Sequence, residues 1–94
     1  PVTVDLGRRV VTRDGAPVNL SPRDDDLLRQ LVIHAGKVLT HQHLLREVWG
    51  PAHVGDTPYL RVYVGQLRQK LEADPAHPRF IATEPGVGYR LRLE

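Results

Sequence analysis

Between Thr57 and Leu71 the chain carries Arg61, Arg68 and Lys70 and no acid, three positive charges in fifteen residues. Val62, Gly65, Gln66 and Gln69 are interleaved with them. These residue types suit one chemistry. Arginine forks onto guanine, glutamine pairs with adenine, and a small apolar group meets the thymine methyl, all at the major-groove edge of duplex DNA. Arginine and lysine also neutralise phosphates. Basic charge gathered on one short element is the footprint of a nucleic-acid contact. Charge alone leaves a merely solvated helix face equally open. Such a face usually carries Glu and Lys pairs, however, and a glycine in mid-helix costs about 1 kcal/mol relative to alanine. A close approach to another surface would justify Gly65. The other explanation is relief of crowding against a second helix.

The remaining reactive side chains point to no second chemistry. Of the five histidines, His41 and His43 stand two apart, which sets them on different helix faces, so no metal site is expected. Asp24, Asp25 and Asp26 read as partners of a helix dipole rather than as a metal-binding cluster. The chain has no cysteine, which excludes disulfides, thiolate zinc sites and thiol catalysis. No Ser/His/Asp set, phosphate-binding loop or dinucleotide fingerprint occurs, and Gly86-x-Gly88 reads as a hairpin turn. No catalytic residue, metal or cofactor is therefore expected, and the chain does not read as an enzyme.

The elements that must position the basic segment follow from pattern. With 94 residues, 40% apolar and 26% charged, the chain makes one small globular domain with one modest core. Net charge is only +2, and residues 1–35 balance five Arg against five Asp. No apolar run approaches the roughly 18 residues of a membrane span, and no signal peptide opens the chain, so a cytoplasmic protein is expected. The lack of any methionine predicts a fragment of something longer. Val2, Val4 and Leu6 alternate with polar residues and predict a strand. Residues 9–13 predict a second, Asp14-Gly15 a hairpin turn, and residues 17–20 a short third. Ser21-Pro22-Arg23-Asp24 opens a helix, with Leu27, Leu28, Leu31 and Val32 at helical spacing and Gly36 at its end. Val38-Leu39 is too short to assign. Thr40 caps a second helix over 41–49, which Gly50-Pro51 stops. Asp56 or Thr57 caps a third helix running to about residue 73. Its Leu60, Val64, Leu67 and Leu71 form a stripe roughly 60° wide. Residues 79–83 and 88–93 close the chain as a hairpin around Pro85-Gly86-Val87. The fold class is α+β: a small N-terminal antiparallel sheet, three helices and a C-terminal hairpin wing, the plan of a winged helix-turn-helix.

Four strings then stand in order at matching spacing: Leu20-Ser21-Pro22 with Leu27-Leu28; Leu44-Leu45-x-x-Val48-Trp49-Gly50; Leu67-Arg68-x-Lys70-Leu71; and Ile81-x-Thr83-x-x-Gly86-x-Gly88-Tyr89-Arg90. Over nearly its whole length the chain resembles the DNA-binding effector domain of OmpR/PhoB-type response regulators. Trp49-Gly50-Pro51, Tyr59-Leu60-Arg61, residues 65–72 and Thr83-Glu84-x-Gly86-x-Gly88-Tyr89 are most similar to the branch regulating high-affinity potassium-uptake genes. The resemblance implies a sequence-specific transcriptional regulator of a two-component phosphorelay. It implies an upstream receiver domain with a phosphorylatable Asp, served by a sensor histidine kinase. It further implies an isolated domain that is monomeric and dimerises on tandem direct repeats of double-stranded DNA. A four-stranded N-terminal sheet is implied too; only three strands can be found, so Pro1 is expected to begin one strand late.

By position, the resemblance places Arg61, Val62, Tyr63, Gly65 and Gln66 against bases. It places Arg68, Lys70, Tyr59, Thr57, Thr83, Tyr89 and Trp49 near phosphates, although a core role for Trp49 stands beside this. The loop Pro51, Ala52, His53, Val54, Gly55, Asp56 matches the segment that touches RNA polymerase. Three positions depart from the family pattern. Pro85, beside Glu84, stands where many members carry Arg before the first wing glycine. Asp25 replaces a frequent aromatic, and Pro58 replaces a frequent Arg. The alternative is a winged-helix module used for protein or RNA contacts, against which the +3 face argues.

Overall fold

The computed structural model describes residues 2–92; Pro1 and the expected end of the last strand at residue 93 lie outside the described residues. Strands β1 (Val2–Asp5), β2 (Val10–Arg13) and β3 (Ala16–Pro17) form an antiparallel sheet in chain order. Asp14 and Gly15 take φ of 52° and 81° and join Arg13 to its partner Ala16, the positive φ pair that a tight hairpin turn needs. β3 is shorter than expected. Pro17 sits opposite Thr12, the last cross-strand bond is from the Val18 N–H to the Val11 carbonyl at 2.8 Å, and the chain then leaves for the first helix. The N-terminal sheet thus has three strands among the described residues, where the resemblance implied four.

Helix α1 (Pro22–Ile33) begins with a reciprocal capping box. The Asp24 N–H donates to Ser21 Oγ at 3.2 Å, and the Ser21 N–H donates to Asp24 Oδ2 at 3.3 Å. This satisfies two N–H groups that a helix end would otherwise leave without partners. Asp25 and Asp26 both face Arg9, at 2.8 and 3.6 Å, and so tie the helix to the β1–β2 turn. The Asp25 departure from the family pattern is therefore used as an ion-pair partner. Val38–Thr40, too short to assign from sequence, is strand β4, and it pairs with the last strand of the chain. Helix α2 (His41–Trp49) is capped by Thr40 Oγ1, which accepts from the His43 N–H at 3.1 Å. Gly50 turns the chain with φ 105° into a short 3-10 turn over Pro51–His53.

Helix α3 (Thr57–Leu71) stops at Leu71, two residues before its expected end. Glu72 there turns extended, with ψ 141°. Strands β5 (Ile81–Glu84) and β6 (Gly88–Leu91) form the wing, and the second sheet runs β4-β6-β5. Gly88 is a glycine because β4 passes over it: a Cβ there would fall 1.8 Å from the Leu39 carbonyl oxygen. The core lies where the three helices meet the wing. Leu27 and Leu31 of α1, Leu44 and Leu45 of α2, and Leu60 and Leu67 of α3 are all 0% exposed, as is Ile81 of the wing. Each such side chain contributes about 1.5–3 kcal/mol by burial. The α3 stripe read from the sequence is thus the face that fixes this helix to the domain.

Candidate nucleic-acid interface

Burying one face of α3 necessarily presents the other. Tyr59, Arg61, Val62, Gly65, Gln66 and Gln69 are exposed, and Val62 retains 56% of its surface. An apolar side chain so open on a helix, beside Arg61 and Gln66, is available for contact. A Cβ built at Gly65 meets nothing within 4 Å. Gly65 therefore does not relieve crowding against a second helix; open space stands over it. Four of the five base-reading candidates, Arg61, Val62, Gly65 and Gln66, share this open face. The fifth, Tyr63, is half-buried. Its ring packs edge-on against Trp49 at 5.1 Å and Tyr59 at 5.3 Å between centroids. A hydrogen bond to Tyr59, then burial, holds the Tyr63 phenol above its ordinary pKa.

The phosphate candidates divide sharply. Tyr59 and Thr83 are exposed and Thr57 is half-buried in the first turn of α3. Tyr89 is only 4% exposed, packed edge-on against His41 and beneath Arg68. Trp49 stacks edge-on with Tyr59 and Tyr63 and carries Arg23 over its ring at 5.8 Å, and its indole nitrogen is buried without a hydrogen-bond partner. The geometry thus favours the core role for Trp49. Arg23 also donates to the Val48 carbonyl, which pins the start of α1 to the end of α2.

The two cations at the end of α3 are engaged inward. Lys70 Nζ lies 2.8 Å from Asp24 Oδ2, and the Asp24 side chain is 1% exposed. A buried carboxylate left without its cation would be costly, so Lys70 completes the cap of α1 rather than standing free. Arg68 reaches the wing. Its Nε and Nη2 donate to the Ile81 carbonyl at 3.2 and 2.8 Å, and Nη2 donates to Thr83 Oγ1 at 2.7 Å. Arg61 has no such partner among the described residues.

One residue that positions the site was not singled out from the sequence. Glu72 is 2% exposed, and its carboxylate accepts from the N–H groups of Arg79, Phe80 and Ile81 at 2.9–3.1 Å. It anchors the entry to the wing onto the end of α3. The available signal was a carboxylate immediately after the last leucine of an apolar stripe. At the wing tip, Glu84 Oε1 binds both Nε and Nη2 of Arg90 at 3.1 Å, and Pro85, Gly86 and Val87 are exposed. The tip therefore lacks a free cation. The loop from Pro51 to Asp56 is exposed except at Val54, and is held by His53 Nδ1 against Asp56 Oδ2 at 2.9 Å. That contact uses the Asp56 side chain, which makes no cap to α3. Among the described residues no group of His, Asp and Glu is arranged to hold a metal, and no helix is long and apolar enough to cross a membrane.

Residues 15–91 match the family described as transcriptional regulatory protein, C terminal. The chain is 54% identical over 92 residues to the KDP operon transcriptional regulatory protein KdpE of Escherichia coli, covering 98% of this chain and 41% of that protein. It is 51% identical over 88 residues to the transcriptional regulatory protein KdpE of Mycobacterium tuberculosis, covering 94% of this chain and 39% of that one. The chain thus spans about two-fifths of the length of these relatives. Among solved structures, the Klebsiella pneumoniae RstA DNA-binding domain in complex with RstA box superposes with a TM-score of 0.87 at 32% identity, covering 97% of this chain and 90% of that one. DrrB of Thermotoga maritima, an OmpR/PhoB homolog, gives 0.82 at 29% identity, covering 97% and 41%.

Proposed function

The chain belongs to the family of transcriptional regulatory protein C-terminal domains, winged helices of the OmpR/PhoB type, and on that premise we propose that α3 reads duplex DNA in the major groove. The observation that carries this is the open face of α3: Arg61, Val62, Gly65 and Gln66 exposed side by side, with empty space over the glycine. Arg61 would fork onto guanine, Gln66 would pair with adenine, and Val62 would meet a thymine methyl. Gly65 lets the backbone come close, and Tyr63 lines the edge from its aromatic cluster. Tyr59, Thr57 and Thr83 supply neutral donors to phosphates. The family is one of transcriptional regulators rather than of enzymes, and the proposed activity is binding.

The reading extends to the whole protein. The likeness to KdpE supports a cytoplasmic response regulator acting on potassium-transport genes, with a receiver domain ahead of this one and a sensor histidine kinase that phosphorylates it. The exposed loop over residues 51–56 is the surface offered to RNA polymerase. Two protomers occupy tandem direct repeats one helical turn apart, ~10–11 base pairs, which places both reading helices on one face of the duplex.

Titration of labelled duplex by anisotropy at several salt concentrations tests the core of this proposal. Log K should fall linearly with log salt, by about 0.9 per phosphate neutralised. Selection from a random duplex pool should then return one enriched half-site. A flat salt response, or no enrichment, overturns the reading.

A further inference from the structure

We infer that Arg68 is a positioning residue that sets the angle of the wing against the reading helix, and that it is held by the wing rather than by phosphate. This rests on the DNA-binding reading above and names the part Arg68 plays in it. The basis is the convergence of α3's end on a single residue of the wing, Ile81. The Ile81 carbonyl accepts both Nε and Nη2 of Arg68, and the Ile81 N–H donates to Glu72 Oε2 at 2.9 Å. Arg68 and Glu72 stand four apart, one turn of helix. The end of α3 thus grips Ile81 from both sides, with a cation on its acceptor and an anion on its donor.

Arg68 also reaches beyond that residue. Nη2 takes the Thr83 hydroxyl at 2.7 Å on the same strand, and Cζ stands 5.7 Å from the centre of the Tyr89 ring on the other strand. Ile81 is wholly buried and pairs with Leu91, and Thr83 pairs with Tyr89. The guanidinium therefore meets β5 at two alternate residues, Ile81 and Thr83, and β6 at Tyr89. Its planar fork suits this use, since two donors meet one carbonyl while a third bond turns to the hydroxyl; a lysine ammonium has no such fixed geometry. Turning Arg68 out to a phosphate would leave the Ile81 carbonyl with fewer partners at a buried site, which is unfavourable. A wing fixed in this way arrives at the duplex already oriented, so less conformational freedom is lost on binding.

The test compares wild type, R68A and R68K on two duplexes. One covers the half-site and its flank under the wing; the other is truncated on the wing side. Wild-type binding to the long duplex establishes the DNA reading by itself, so failure of that reading is seen before any variant is used. If Arg68 is the wing brace, R68A and R68K weaken binding to the long duplex alike, on the order of tenfold, the loss expected for hydrogen bonds of a charged group. On the truncated duplex the penalty vanishes, and the salt slope is unchanged throughout. Amide exchange in the free protein should accelerate over residues 81–91 while α1 and α2 keep their protection. The inference is overturned if R68K restores wild-type affinity, or if R68A lowers the salt slope by about 0.9, the signature of one lost phosphate contact. It is equally overturned if exchange accelerates uniformly across the domain, which would mark Arg68 as a contributor to global stability alone.

Discussion

Gly65→Ala separates the demands of folding from those of the proposed interface. Within the free domain the substitution is unopposed: the added Cβ meets nothing within 4 Å, and the position is mid-helix on an exposed face. Helix propensity then acts alone, and alanine should stabilise the domain by ~1 kcal/mol. For a domain of this size that raises Tm by about 4–8 °C. On DNA the expectation reverses. The methyl group would stand where the helix backbone meets the groove, and an extra methyl in a close-packed contact costs roughly 1–3 kcal/mol. Affinity should therefore fall roughly 5- to 150-fold while stability rises. Calorimetric unfolding gives the first quantity and anisotropy on the selected half-site the second. A variant that is more stable and binds as tightly as wild type refutes the argument that this glycine exists for close approach. A variant that is less stable refutes the geometry itself.

Arg61→Ala should weaken the preferred site by about 1–3 kcal/mol and relax preference at one base pair; equal loss on matched and mismatched duplexes would remove Arg61 from base reading. Lys70→Ala strands the buried Asp24 carboxylate. Because Lys70 is itself about a third exposed, the loss should fall below the 3–5 kcal/mol of a fully buried pair, at about 1–3 kcal/mol of unfolding free energy, with the DNA salt slope unchanged. Glu72→Gln turns an NH2 donor toward the N–H groups of Arg79, Phe80 and Ile81; chemical denaturation should show a loss of about 1–3 kcal/mol, and wild-type stability would show that the three hydrogen bonds are not formed. A tethered dimer of this chain should gain affinity on a two-repeat duplex, and five extra base pairs between repeats should abolish the gain by turning one site half a helical turn; equal affinity for both spacings would refute cooperative occupancy of one face.

The elements were legible because their signals are local. Asp14-Gly15 needs only its two residue types to set a tight hairpin, and Leu60, Val64, Leu67 and Leu71 need only 3.6-residue periodicity to declare a buried face. What escaped is long-range in the chain. By type and place, Arg68 and Lys70 look like free cations on a reading helix. Their partners stand 13 and 46 residues away, and no local pattern announces a pair across that separation. Asp24 was read as a dipole partner of its own helix, which its capping box supports, but its ion pair with Lys70 arises only once α3 packs beside α1. Glu72 was absorbed into the third helix because glutamate propagates helices well. Its carboxylate instead turns under the wing, where three N–H groups outweigh one more residue of helix. β3 is short because the chain leaves the ladder after Val18 to enter the capping box of α1 at Ser21.

The same inward pairing bears on why two domains would be needed to hold one operator. Of the three cations in α3, Lys70 closes onto Asp24 and Arg68 onto the wing, which leaves Arg61 open. At the wing tip, Arg90 is neutralised by Glu84. Affinity from counterion release scales with the phosphates neutralised, so on the proposed reading a single domain with few free cations near its reading face should bind DNA weakly. Orientation is what these inward contacts supply instead. The end of α3 is tied to α1 through Lys70 and to the wing through Arg68 and Glu72, so helix and wing approach the duplex as one rigid surface. Rigid, weakly charged half-site readers are poor binders singly and good ones in pairs, because tethering raises the effective concentration to the millimolar range and can add ~10²–10⁴ to affinity without any new contact. A domain with many free cations would occupy DNA unpaired and blunt its response to a phosphorylation-driven dimer. On the proposed reading, engaging two of the three helix cations in the scaffold would lower that unregulated affinity and make occupancy depend on whether a second copy is present.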